Sequence, residues 1–276
     1  MNNLVIFTAS YINDLDRLEI LKASVDKFNA DKIPFYIVVP QKDLDIIQNR
    51  ITTGKEPYEL YFVADEDILE PDDGQMDGWR KQQLKKLAFW ELGLCNFYVI
   101  MDSDVYFIRD FHVSDFMRDE NSPYLSMDEV LETQDKNYAK NYFRRTGKNY
   151  TFVFMGQVFS KFVLEDMKKN VLDKNGLSWR DLISLSPWEF QWYGEYFLQS
   201  RIHELLPTNK LVKSFRIQLQ YVLERFRGYT PDDFVNQGYI AVHMQNRWVK
   251  DKVYRPMPWT ALLRRAKQYA RRLISS

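Results

Sequence analysis

The stretch FYVIMDSDVYFIRDF, Phe97–Phe111, carries two carboxylates, Asp102 and Asp104, at the end of an apolar run. Phe97 to Met101 are residue types that favour a buried strand. A charge inside a sheet is costly, so the acids mark the point where the strand leaves the core. In extended chain, residues i and i+2 project to the same side, and this spacing predicts two carboxylates side by side at a sheet's mouth. Like charges that close call for a cation. Hard oxygen ligands without clustered Cys or His suit Mg²⁺ or Mn²⁺. The plainer reading has Asp102 capping the next turn and Asp104 pairing with Arg109. The same spacing recurs at Asp14/Asp16, Asp43/Asp45 and Asp65/Asp67, where it reads as helix starts and solvated loops. Position singles out the fourth pair.

Upstream of this strand, helix and strand patterns alternate. LVIFTAS (4–10), PFYIVVP (34–40) and YELYFVAD (58–65) read as strands, and the segments between them show helical spacing, as at Leu15, Leu18, Leu21 and Val25. WRKQQLKKLAFWELGL (79–94) is a further helix delivering the chain into the strand. Such alternation predicts an α/β fold, a mostly parallel open sheet flanked by helices, which binds ligands beyond the carboxyl ends of its strands. The second half is less regular. TFVFMGQVFSKFVLEDMKKNVL (151–172) reads as a strand, a glycine break and a helix. WRDLISLSPWEFQWYGEYFLQS (179–200) reads as a turn followed by an aromatic-rich helix, and YIAVHMQ (239–245) as a late strand.

The chain has 276 residues, 45% of them hydrophobic and 16% aromatic, enough for one large core. Its formal net charge is zero, but from Arg201 onward fifteen Lys/Arg face five Asp/Glu. That excess suggests an anionic partner, phosphates or a membrane face. No nucleic-acid-binding motif accompanies it, so nucleic acid is not an expected partner. The single cysteine, Cys95, excludes an intramolecular disulfide and points to a reducing compartment. No window approaches a membrane span and the N-terminus lacks a signal-peptide pattern, so the expected location is cytoplasmic, free or on the inner membrane face. The expected organisation is a catalytic domain over 1–250 followed by a basic amphipathic helix over 251–276, whose apolar face (Trp259, Leu262, Leu263, Ala266) either packs on the domain or lies on an anionic membrane.

VIMDSDVYF (99–107) resembles the metal-binding DxD motif of GT-A-fold glycosyltransferases, which bind a nucleotide-sugar through a divalent cation. The resemblance extends to a group of bacterial polysaccharide-locus (capsule or lipopolysaccharide) transferases. FTASYINDLDRLEIL (7–21) is similar to their first strand with its Asp-x-x-Arg, GWRKQQLKKLAFWELG (78–93) to the helix before the DxD, and SPWEFQWYGEYF (186–197) to a later Ser–Glu–Tyr-Gly segment; a late VHMQ (242–245) completes the order. It implies a GT-A-like fold and a metal-dependent transfer of sugar from a nucleotide-sugar donor to a hydroxyl of a surface-polysaccharide or lipid-linked acceptor.

The resemblance also implies roles. Asp102 and Asp104 would hold Mn²⁺ or Mg²⁺, a Lewis acid neutralising the diphosphate, with His243 completing the coordination. Thr8, Ala9, Ser10, Tyr11 and Asp14 at the first strand's end, and Ser103 within the DxD, would contact the donor. Gln83 and Lys86, on one face of the preceding helix with Arg80, would reach a phosphate; a solvated charged face is the alternative. Gly156 permits the close approach of a sugar-lining loop, or a simple bulge. Glu189 is the expected base, its pKa raised among Trp188, Phe190, Trp192 and Tyr193, and a base opposite the leaving group implies inversion. The competing reading of Glu189 is a capping box with Ser186 as N-cap. Two other classes fit the same acids: a nucleotidyl- or phosphotransferase, and a non-catalytic carbohydrate- or membrane-binding adaptor.

Overall fold

The computed structural model describes residues 2–130, 138–215, 217–245 and 249–257. The main sheet is built from the apolar runs read above: β1 (Asn2–Ala9), β2 (Phe35–Val39), β3 (Leu60–Ala64) and β4 (Cys95–Ile100) are all parallel, connected by α1 (Leu15–Phe28), α2 (Gln41–Ile51) and α3 (Gly78–Ala88). Central strands covered on both faces need no polar alternation. All five residues of β2 are accordingly buried. A fifth strand, β6 (Val158–Ser160), which leads into α4 (Lys161–Met167), pairs antiparallel with β4 and closes that edge, giving the order β6-β4-β1-β2-β3.

β1 lies between β2 and β4: the chain leaves β1 toward β2 and β3, then crosses back to β4 on the other side of β1, so the strand order reverses there. The crevice that results opens at the carboxyl ends of β1 and β4. There the Met101 amide donates to the Phe7 carbonyl at 3.0 Å, and the Thr8 hydroxyl donates to the Met101 carbonyl. Asp102 follows at once. The chain does not continue extended through the two acids, as their spacing suggested. The Val105 amide donates to the Asp102 carbonyl at 3.0 Å, closing a turn over residues 102–105.

Beyond that turn, β5 (Val105–Phe107) leaves the main sheet for a second one of order β7-β8-β5, in which β8 (Ala241–His243) runs antiparallel to β5 and parallel to β7 (Val212–Ser214). This sheet carries its own core of Tyr106, Phe215, Tyr221, Phe234, Val242 and Tyr254. Arg17 on α1 fastens it down: the buried guanidinium donates to the Met244 carbonyl at 3.2 Å and to the Val249 carbonyl at 3.1 Å.

The segment 179–185, read from sequence as a turn, is a helix, α5 (Trp179–Leu185). Ser178 caps it, its side chain accepting from the Asp181 amide while the Asp181 carboxylate accepts from the Ser178 amide at 2.8 Å. α6 (Glu189–Ser200) follows after three residues. Ser186 ends α5 and Trp188 precedes α6 without a side-chain cap, so the capping-box reading of Glu189 does not hold. The helix expected over 251–276 lies outside the described residues from 258 on. Residues 251–257 are irregular, with Tyr254 buried in the second core.

Candidate active site

A cavity of about 950 Å³ opens where the two sheets diverge. Three charged side chains meet in its wall. Lys86, from α3, is fully buried, and its Nζ lies 3.0 Å from Asp102 Oδ1 and 3.0 Å from Glu189 Oε1. The Gln83 Oε1 accepts from the same ammonium at 3.2 Å, while Gln82 Nε2 donates to Asp102 Oδ1 at 3.3 Å.

The stoichiometry sets the protonation states. One ammonium serves two carboxylates. Burial works against charge on Lys86, but Asp102 and Glu189 together outweigh it and hold its pKa above the ordinary lysine range. Each carboxylate, by contrast, has half a cation and a repelling neighbour. Burial therefore prevails at Glu189 and raises its pKa; Lys86 opposes the shift and Asp102 adds to it. A buried carboxylate with a raised pKa in a cavity wall suits proton transfer.

The second acid faces a different partner. The register pairs His243 with Val105, which sets its ring beside Asp104. His243 Nε2 lies 3.1 Å from Asp104 Oδ1, and its Nδ1 lies 3.2 Å from the Ser214 hydroxyl. Burial disfavours the imidazolium, but Asp104 outweighs it, so the His243 pKa is raised. Asp102 and Asp104 thus do not share one contact, although they share one field. At Asp14, burial, then the charge of Asp104, push the carboxyl upward; Asp102 adds to them and Arg17 opposes.

Asp102, Asp104 and His243 supply the donor types that a hard divalent cation takes. Two carboxylates and an imidazole suit Mn²⁺ or Mg²⁺. The 3.1 Å between His243 Nε2 and Asp104 Oδ1 matches neighbouring ligands of one ion with bonds of about 2.1 Å. The negative charge of Asp104 and Asp102 felt by Asp14 points the same way. As placed, no three His, Cys, Asp or Glu side chains among the described residues are grouped so that they could hold a metal ion.

Of the expected site residues, Gln83, Lys86, Asp102, Asp104, Glu189 and His243 line the one cavity. Thr8, Ala9, Ser10, Tyr11, Asp14, Ser103 and Gly156 do not. Thr8, Ala9, Ser10 and Ser103 are buried, and the Ser10 hydroxyl has no hydrogen-bond partner among the described residues. Tyr11 is exposed and Asp14 begins α1. Gly156 has φ +82°, and a Cβ there would meet Val212 at 3.3 Å, so its close approach serves packing. Lys86 is no solvated charge; its nearest groups are the two carboxylates. Sequence reasoning missed Gln82, Ser214 and Lys213. Lys213 is buried among the rings of Phe215, Phe234 and Tyr239 and paired with Glu224 at 2.9 Å.

Among solved structures, the chain is similar to the apo form of mouse Xyloside xylosyltransferase 1, with a TM-score of 0.51 and 11% identity over 93% of this chain and 99% of that one. The fold is therefore α/β and GT-A-like, a glycosyltransferase architecture. No curated protein sequence matches the chain. The model of one family, described as "Family of unknown function (DUF6492)", matches residues 4–223, and the chain belongs to that family.

Proposed function

We propose that the chain is a glycosyltransferase that moves a sugar from a nucleotide-sugar donor to an acceptor hydroxyl, using a divalent cation, with inversion at the anomeric carbon. The observation that carries this reading is the Asp102–Lys86–Glu189 cluster buried in a cavity wall at the carboxyl edge of β4. Burying three charges is rarely a route to stability, since apolar residues of like volume do as well or better. The glycosyltransferase fold and the position at the strand switch support the same conclusion.

Asp102, Asp104 and His243 would hold Mn²⁺ or Mg²⁺, which when bound neutralises the departing diphosphate. His243 enters that set as the neutral imidazole, its Nδ1 kept in register by Ser214. Glu189 accepts the proton of the acceptor hydroxyl. Lys86 stays an ammonium throughout, orienting Glu189 Oε1 and preventing its carboxylate from repelling Asp102. The aromatic wall of Trp188 and Phe190 excludes water, which would otherwise compete as acceptor.

The test is thermal unfolding with UDP-, GDP- and CMP-sugars, with and without Mn²⁺ or Mg²⁺. At least one sugar nucleotide should raise the Tm only with the ion, and Asp102→Asn should remove that shift while leaving the unliganded Tm close to the parent's. A Tm unmoved by every pair of ion and nucleotide overturns the reading. Any sugar transfer detected should then decline with Asp102→Asn in parallel.

A further inference from the structure

Two indoles stand at the cavity where an apolar surface has no structural reason to be open. Trp79, in the first turn of α3, lines the cavity yet remains 48% exposed. Trp188, immediately before Glu189, meets it with ring centroids 5.7 Å apart and planes at 80°. An edge-to-face pair covers at most one face of one ring. Burying an indole is worth more than most side-chain burials, so an open one in a cavity wall marks a surface kept for a ligand.

The polar groups around the pair define what that ligand is. Gln82 and Gln83 follow Trp79 by three and four residues on α3, and the amide of Gln83 donates to the Trp79 carbonyl at 2.9 Å. Gln82, Gln83 and Glu189 therefore border the indoles with amide and carboxylate groups within the same cavity. A ring with an apolar C–H face and a rim of hydroxyls satisfies both halves of such a wall. A flat heteroaromatic base would want parallel stacking on both sides, which the 80° angle denies it. We propose that Trp79 and Trp188 are the acceptor platform: a pyranose of the acceptor lies on the Trp79 ring against the edge of Trp188 and directs a hydroxyl to the carboxylate of Glu189. This rests on the transferase reading, and it names the class of acceptor as a saccharide end and not a lipid or peptide hydroxyl.

The test separates the two claims. The protein has seven tryptophans. Full-length protein carrying 5-fluorotryptophan is titrated with methyl glycosides of glucose, galactose, mannose, rhamnose and N-acetylglucosamine, and with lactose and maltose, followed by ¹⁹F NMR. Trp79→Phe identifies the Trp79 resonance by its loss. The expected result is a saturable shift of that resonance with at least one sugar and, read by isothermal titration calorimetry in parent and variants alike, about a tenfold weaker affinity in Trp79→Ala that Trp79→Phe partly restores. Donor-induced thermal shifts should be the same in Trp79→Ala as in the parent. If no sugar moves the resonance, or Trp79→Ala binds the sugar as tightly as the parent, the platform falls even where the nucleotide shift persists. If sugar binds there and no sugar nucleotide stabilises the protein, the platform stands and the transferase reading fails.

Discussion

The helix α6 carries two glutamates of nearly equal burial, and they are held in opposite ways. Glu195, fully buried, takes the Arg145 guanidinium through Nε on one oxygen and through Nη2 at 3.1 Å on the other. Arg145 also donates to the carbonyls of Thr146 and Lys148 at 3.1 and 2.9 Å. One cation serves one anion, the geometry is bidentate, and two further donors go to backbone carbonyls. Glu189, two turns earlier, has only a share of Lys86, and its other neighbours belong to a cavity. Burial alone therefore does not separate a structural acid from a reactive one. The number of charges that share each partner does, together with access from a cavity.

The largest effect should come from breaking the reactive half. Glu189→Gln keeps volume and leaves Lys86 paired with Asp102, so the fold should survive with a nearly unchanged Tm. Transfer should fall by about 10³-fold, the range of a lost general base. Turnover within about threefold of the parent would remove Glu189 from the chemistry. The structural half should respond the other way. Glu195→Gln leaves the partly buried Arg145 guanidinium without its counter-charge, at a cost of about 2 kcal/mol, read as a fall in the urea midpoint. Activity per folded molecule should stay within a few fold of the parent. Were Glu195→Gln to abolish turnover in fully folded protein, the distinction between the two acids would collapse.

The contrast also explains how much was legible beforehand. β1, β2 and β4 announce themselves because strands covered on both faces are continuous apolar runs, and the helix before Asp102 carries good helix formers throughout. Asp102 stands out as a charge ending such a run. Its geometry was misjudged because Asp102 and Asp104 lie within a turn closed by a backbone hydrogen bond, a choice that side-chain spacing does not encode. Lys86 looked like a free cation because its partner Glu189 is 103 positions away, and no local pattern reports that distance. Ser214 reaches His243 through the pairing of two three-residue strands, too short to register as periodic. The α5 helix had a readable signal in Ser178 and Asp181, the spacing of a capping box.

A third glutamate gives the smallest and most easily dated effect, because it lies near the surface. Glu56 Oε1 accepts from Lys22 Nζ at 3.1 Å, from the Thr53 amide at 2.6 Å and from the Thr53 hydroxyl at 2.9 Å. Partial burial pushes its carboxyl upward, but these hydrogen bonds prevail and hold it at about 2, below the ordinary 4.5. A lowered carboxylate pKa means that the unfolded chain takes up the proton first as pH falls. The contribution of Glu56 is then complete above pH 4.5 and is lost as pH drops toward 2. Glu56→Gln should lower the Tm by about 1–2 °C at pH 7, and the gap to the parent should close between pH 4.5 and 2. Glu189 is raised, so its ionised form opposes folding in the same range where Glu56 supports it. Parent and Glu56→Gln curves that stay a constant distance apart from pH 7 to pH 2 would show that the Lys22 and Thr53 contacts do not hold that carboxylate down.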